Sequence, residues 1–243
     1  SSSTKVFILE VMGRHAGWIA AAGGLAQRQD GDPPHIILFP EVPFEQGTFC
    51  AAVDAAVKKH GFCSIVVSEG AREANGHFLA DAGTVDAFGH KQLGGVAPVV
   101  AGIVQRELGY KYHWAVSDYL QRSARHVASQ TDVEHAYAVG EAAVQMALEG
   151  ISGMIPVIER LSDDPYRWQI GRAPLSEVAN HEKKMPGEFI TDDGFGITEA
   201  ARRYLEPLIR GEAYPSYDEH GLPEYITPEF SLLSKTLPEF TPG

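Results

Sequence analysis

Short apolar runs and longer amphipathic stretches alternate along the first two-thirds of the chain. Residues 5–11, 35–39, 63–68 and 112–117 are rich in Val, Ile, Phe and other β-formers, and their apolar residues fall at neighbouring positions rather than alternate ones. Runs of this kind predict strands buried on both faces. Between and after them, residues 18–28, 48–60, 96–108 and 131–149 predict helices, the second with Thr48 as its N-cap. Residues 153–159 predict a final strand. Strands separated by helices of this length imply βαβ units. The predicted fold is α/β, a mostly parallel sheet with helices on both faces.

Ligands of such sheets lie beyond the C-terminal ends of the strands. The informative residues are then those that follow a run: Met12-Gly13-Arg14, Pro40-Glu41 and Glu69-Gly70. The pattern changes after residue 160. Pro165, Pro174, Pro186, Pro207, Pro215, Pro223, Pro228, Pro238 and Pro242 interrupt it, and one helix is predicted, over 198–210 with a Thr198 cap. Residues 1–160 therefore read as an α/β unit. Residues 161–243 read as an irregular extension that packs on that unit or at an interface.

Charge narrows the partners. The 243 residues carry a formal net charge of −12. An acidic surface argues against binding nucleic acid or anionic membranes, so any anionic ligand needs cations gathered locally. Cys50 and Cys63 have neither the number nor the spacing of a zinc site or a disulfide framework. Both read as small buried residues of a reducing compartment. No apolar stretch has the length of a membrane span, and the expected location is the cytoplasm.

Three stretches carry candidate chemistry. In "EVMGRHAG", Gly13 lets a ligand approach the backbone and Arg14 offers a planar fork suited to phosphate. A tight strand-to-helix turn with an exposed arginine explains the same letters. In "VVSEGA", Glu69 at a strand tip can accept hydrogen bonds from sugar hydroxyls, or can cap a neighbouring helix. In "DYLQRSARH", Tyr119, Arg122, Arg125 and His126 form the densest positive cluster near a strand end, or a solvated helix start. His77 and Asp81 have a ligand spacing but no third partner nearby, and a surface helix is expected there. No P-loop, G-x-S-x-G or H-E-x-x-H is present.

Taken together, "EVMGRHAGWIA", "PEV" at 40–42, "VVSEGA", "LQR" at 120–122 and "VGEAAVQMALEG" at 139–150 resemble the 6-phosphofructokinase family. The order and spacing resemble its C-terminal half over about residues 4–160, closest to the pyrophosphate-dependent bacterial branch through "GRHAGW" and "YLQRS". The resemblance implies phosphoryl transfer from pyrophosphate to O1 of fructose 6-phosphate. It places substrate-binding roles on Met12, Gly13, Arg14, Glu69, Tyr119 and Arg122. Glu69 and the Met12-Gly13 backbone would hold sugar hydroxyls, Arg122 the 6-phosphate, and Arg14 the charge on the transferred group. Lys5 stands where the family often has an arginine reaching a neighbouring subunit's site, so a homo-oligomer is implied. Tyr119 replaces a frequent histidine, and Ser123-Ala124 replace two glycines.

The family's donor loop, metal-binding aspartate and catalytic aspartate precede "EVMGR" and are not in these residues. The expectation is a C-terminal part of a longer enzyme, inactive alone, with no metal ligands of its own and the Mg2+ site upstream. An ATP-dependent 6-phosphofructokinase and a non-catalytic sugar-phosphate-binding regulatory subunit are the alternative readings.

Overall fold

A computed structural model of the protein describes residues 3–85, 91–93, 95–231 and 234, and side chains outside 81–94. Pro238 and Pro242 lie outside the described residues. The chain runs β1 (Val6–Val11), α1 (Trp18–Gly23), β2 (Ile36–Leu38), α2 (Gln46–His60), β3 (Cys63–Ser68), β4 (Asp81–Val85), β5 (Lys91–Leu93), α3 (Val96–Leu108), β6 (Tyr112–Val116), α4 (Leu120–Ser123), α5 (Gln130–Leu148), β7 (Met154–Asp163), β8 (Tyr166–Pro174), α6 (Leu175–Val178) and α7 (Glu199–Leu205), with a two-residue pair β9 (Ser216–Tyr217) and β10 (Pro223–Glu224) at the end.

Four strands form a parallel sheet in the order β2-β3-β1-β6. Alternate residues of each strand face opposite ways. Val6 and Ile8, Ile36 and Leu38, and Cys63, Ile65 and Val67 pack against α2 and α3. Val11, Ile37, Phe39 and Val66 pack on the other face against Ala20 and Ala21 of α1. Both faces of β2 and β3 are covered, which is why they are apolar at successive positions; the edge strand β6, expected to be buried on both faces, is instead exposed at His113, Trp114 and Val116. Met185, Ala201 and Leu205 are also buried in the second cluster, so residues well past 160 supply part of this core.

Several expected details differ. The helix expected over 18–28 is α1 followed by a 3-10 turn, Gly24–Ala26. A Cβ at Gly23 would come within 3.2 Å of Val66, so the small residues let α1 lie close on the sheet. The second helix starts at Gln46, not Thr48. Its cap is Glu45, whose carboxylate accepts from the Gly47 and Thr48 amides. Thr48 serves that cap by donating its hydroxyl to Glu45 at 2.5 Å. The helix expected over 198–210 is α7 and then a 3-10 turn, Glu206–Ile209, because Pro207 has no N–H to continue the α-helical ladder. Thr198 caps α7 as expected.

The strand expected at 153–159 is real but does not join the parallel sheet. It is the first half of β7, which pairs antiparallel with β8. The residue-160 boundary falls inside β7. The stretch 77–81 is not helical: Phe78 bridges to Arg72 and Asp81 opens β4. Cys63 is buried and burial pushes its thiol up to about 12. Cys50 is half-buried rather than enclosed, and both cysteines are free. Among the described residues no helix is long and apolar enough to cross a membrane.

Candidate active site

β1 leads to α1 on one face of the sheet, whereas its neighbour β3 leads on towards α3 on the other. The chain therefore diverges where two adjacent strands end, and a crevice opens between them. The segment after β6 closes its third side. Glu10, Val11, Met12, Glu69, Gly95, Val116 and Asp118 line a cavity of about 280 Å³ there.

The turn after β1 is tightly held. The Gly13 N–H donates to Glu69 Oε1 at 3.2 Å, and the Gly13 carbonyl accepts from Ser68 Oγ at 2.5 Å. Gly13 has φ +143°, a conformation few side chains tolerate, and a Cβ on it would lie 2.7 Å from the Ala16 carbonyl. The Arg14 carbonyl accepts from Arg72 Nη2 at 3.4 Å. A Cβ on Gly70 would sit 1.9 Å from that same carbonyl oxygen, so glycine at 70 lets the backbones of β3 and the turn touch. The Arg14 guanidinium makes no hydrogen bond or ion pair among the described residues.

Glu69 thus does two things. One carboxylate oxygen fixes the turn, as a capping acid would. No hydrogen bond to the other is formed among the described residues, and it remains available to a hydroxyl. Beside the cavity, Arg122 Nε approaches the Met12 sulfur at 3.3 Å, and its guanidinium lies 5.5 Å from the centre of the Tyr119 ring. The structure therefore brings Met12, Gly13, Arg14, Glu69, Tyr119 and Arg122 to one edge of the sheet. Lys5 is not among them. It precedes β1 at the opposite end, where Nζ donates to the Gly61 carbonyl at 3.1 Å.

Three further residues of this edge lie inside the quoted motifs but have no role assigned to them there. Gln121 Oε1 accepts from the Met12 N–H at 2.8 Å and ties β1 to α4. Asp118 adopts φ +41° at the turn after β6. Glu10 is 5% exposed, and its Oε2 accepts from the Ala97 N–H at the start of α3, at 2.8 Å. Burial pushes the Glu10 carboxyl above its ordinary value. The Ala97 and Val96 N–H groups oppose that shift, and the Glu69 and Asp118 charges reinforce it. An acid at an inward position of an otherwise apolar strand was its only clue. Among the described residues no three His, Cys, Asp or Glu side chains are grouped to hold a metal ion.

With this geometry in view, comparison with known proteins is informative. The family model "Phosphofructokinase" matches residues 1–147. The pyrophosphate--fructose 6-phosphate 1-phosphotransferase of Halomonas elongata is 60% identical over 240 residues, covering 99% of this chain and 57% of the relative. The enzyme of the same name from Methylococcus capsulatus is 63% identical over 227 residues, covering 93% and 54%. A solved pyrophosphate-dependent phosphofructokinase from Nitrosospira multiformis superposes with a TM-score of 0.85 at 54% identity, over 99% of this chain and 57% of that one. The chain spans little more than half the length of these relatives. It belongs to the phosphofructokinase family.

Proposed function

We propose that this chain carries the fructose 6-phosphate site of a pyrophosphate-dependent phosphofructokinase, which transfers a phosphoryl group from pyrophosphate to O1 of the sugar. The observation that carries the reading is that the crevice lined by Met12 and Glu69 is bordered by Gly13, which bonds Glu69, and by Arg122, which contacts Met12, in an otherwise acidic protein. The names of the relatives at 60% and 63% identity support the donor and the acceptor.

In this reading Arg122 binds the 6-phosphate as a charged, multi-donor fork. The second oxygen of Glu69 accepts a sugar hydroxyl. The Met12-Gly13 backbone lies against the ring, in a turn whose conformation the glycine at 13 permits. Tyr119 adds one hydroxyl donor. Arg14 meets the negative charge on the phosphoryl group in transit; a guanidinium has only donors and cannot accept a proton, so it is not the base. The general base, the pyrophosphate site and the magnesium belong to the part of the protein outside this chain. The working enzyme is a cytoplasmic homo-oligomer, with Lys5 reaching a neighbouring site.

A coupled assay with fructose 6-phosphate, magnesium and either pyrophosphate or ATP tests this. The protein spanning the full length of the relatives should turn over with pyrophosphate, and the purified 243-residue chain should not. Clear turnover by the chain alone, with its mass verified, overturns the placement of the base. Turnover with ATP only overturns the donor.

A further inference from the structure

The segment Glu182 to Met185 lies beyond the residues matched by the family model, yet it packs on the residues immediately following Arg14. The Glu182 carboxylate meets His15 Nδ1. The Trp18 indole N–H donates to the Lys183 carbonyl at 2.7 Å, and Lys183 Nζ lies 5.7 Å from the centre of the Trp18 ring. Met185 is anchored in the core.

Glu41 joins the two. It follows β2, and its Oε1 accepts from the Gly17 N–H at 2.9 Å and from the Met185 N–H at 3.1 Å. Its Oε2 is buried without a hydrogen-bond partner among the described residues. A Cβ at Gly17 would come within 2.8 Å of that oxygen, so the turn and the carboxylate are in close contact. Burying a carboxylate with one oxygen unpaired is unfavourable. The arrangement is understandable if the position of these two backbone segments is what the carboxylate serves. Ser68, Gly70 and Arg72 hold the other side of the same turn. Arg14 lies between the two grips, its guanidinium unengaged by the described residues.

We propose that Glu41 is a positioning residue for phosphoryl transfer. With the strap at 182–185, it fixes the Arg14–Gly17 turn so that Arg14 presents its guanidinium to the transferred group. This rests on the role given to Arg14 above. Neither Glu41 nor the strap touches Glu69 or Arg122 through any hydrogen bond among the described residues, so sugar binding should not depend on them.

The test uses the intact enzyme. Glu41→Ala should lower kcat about tenfold and leave KM for fructose 6-phosphate within about twofold, the pattern of a misplaced catalytic group. Glu41→Gln keeps an oxygen acceptor for both amides and should recover most of the turnover. The double variant Arg14→Ala/Glu41→Ala should be no slower than Arg14→Ala alone, because Glu41 acts through Arg14. Losses that multiply in the double variant, or an unchanged kcat in Glu41→Ala, overturn the proposal. If Glu41→Ala does not fold, Glu182→Gln on the half-exposed pair carries the same test, with a smaller kcat loss that is again absent when Arg14 is alanine. If Arg14→Ala by itself leaves turnover unchanged, it is the role of Arg14 that fails, and the two failures are distinguishable.

Discussion

The two arginines of the proposed site sit on contrasting supports. Arg14 belongs to a turn held from both sides, by Ser68, Glu69, Gly70 and Arg72 from β3 and by Glu41 with the 182–185 strap. Arg122 belongs to a four-residue helix whose neighbours Tyr119 and Leu120 are 67% and 68% exposed. Among the described residues its side-chain links to β1 are the Gln121–Met12 hydrogen bond and its own contact with the Met12 sulfur. A group that stabilises charge in a transition state must be in place before the reaction, because reorganising it raises the barrier. A group that binds a ground-state phosphate can be ordered by the phosphate itself. The rigid turn fits the first task and the open helix the second. Disturbing one should change rate, and disturbing the other should change affinity.

Gly70→Ala is the strongest way to break this contrast. The added methyl meets the Arg14 carbonyl, so the turn must move although no functional side chain is removed. In the intact enzyme kcat should fall about 100-fold, the scale expected when a reacting geometry shifts by about 1 Å. A melting curve should show that the fold survives. Turnover within threefold of the parent would mean that the turn is not preorganised.

Arg122→Ala tests the other support. It should weaken fructose 6-phosphate binding by about 1.5–2 kcal/mol, the lower part of the range for hydrogen bonds to a charged group, because the site is exposed in this chain. Calorimetric titration of the intact enzyme measures it. Melting temperature should stay unchanged, since Arg122 supports no packed element. An unchanged affinity removes Arg122 from the phosphate site.

Glu69 stands on the border between the two regions. Glu69→Gln preserves an acceptor for the Gly13 N–H while removing the charge. KM for fructose 6-phosphate should rise about threefold to tenfold, with KM for pyrophosphate unchanged. If melting temperature falls and KM does not, Glu69 only braces the turn and its free oxygen has no sugar to bind.

The parts of this architecture legible in the sequence are those set by burial on both faces. Apolar runs at residues 5–11 and 63–68 marked β1 and β3, and the residues just after them marked the crevice. β7 and β8 were read less well. Residues 166–170 alternate apolar and polar side chains, as a strand with one open face does, and Pro165 in the turn resembles a break. What Gln121 and Glu10 anchor was not legible, because each acts on a backbone N–H far away in sequence, a contact that leaves no periodic trace. The strap was hidden for the same reason. Its contacts with the Arg14 turn span 165 residues or more, a separation that leaves no local pattern in the sequence.

The smallest effect is expected at Lys5, and it decides whether the contrast between the two arginines is complete. Within one chain Lys5 makes an exposed hydrogen bond to the Gly61 carbonyl at the end of the sheet remote from the crevice. Surface contacts of this kind are worth about 0.5 kcal/mol or less, so Lys5→Met should leave the melting temperature of the chain unchanged. If Lys5 reaches the phosphate of a neighbouring subunit, the same substitution in the intact enzyme should raise KM for fructose 6-phosphate about twofold to threefold. The effect should shrink as salt is added, because a mobile lysine acts mainly as a screened point charge. A third support for the sugar phosphate would then come from another subunit, and the affinity half of the site would be shared while the rate half is built within one chain. A KM that does not move with Lys5→Met at low salt leaves both halves within a single subunit.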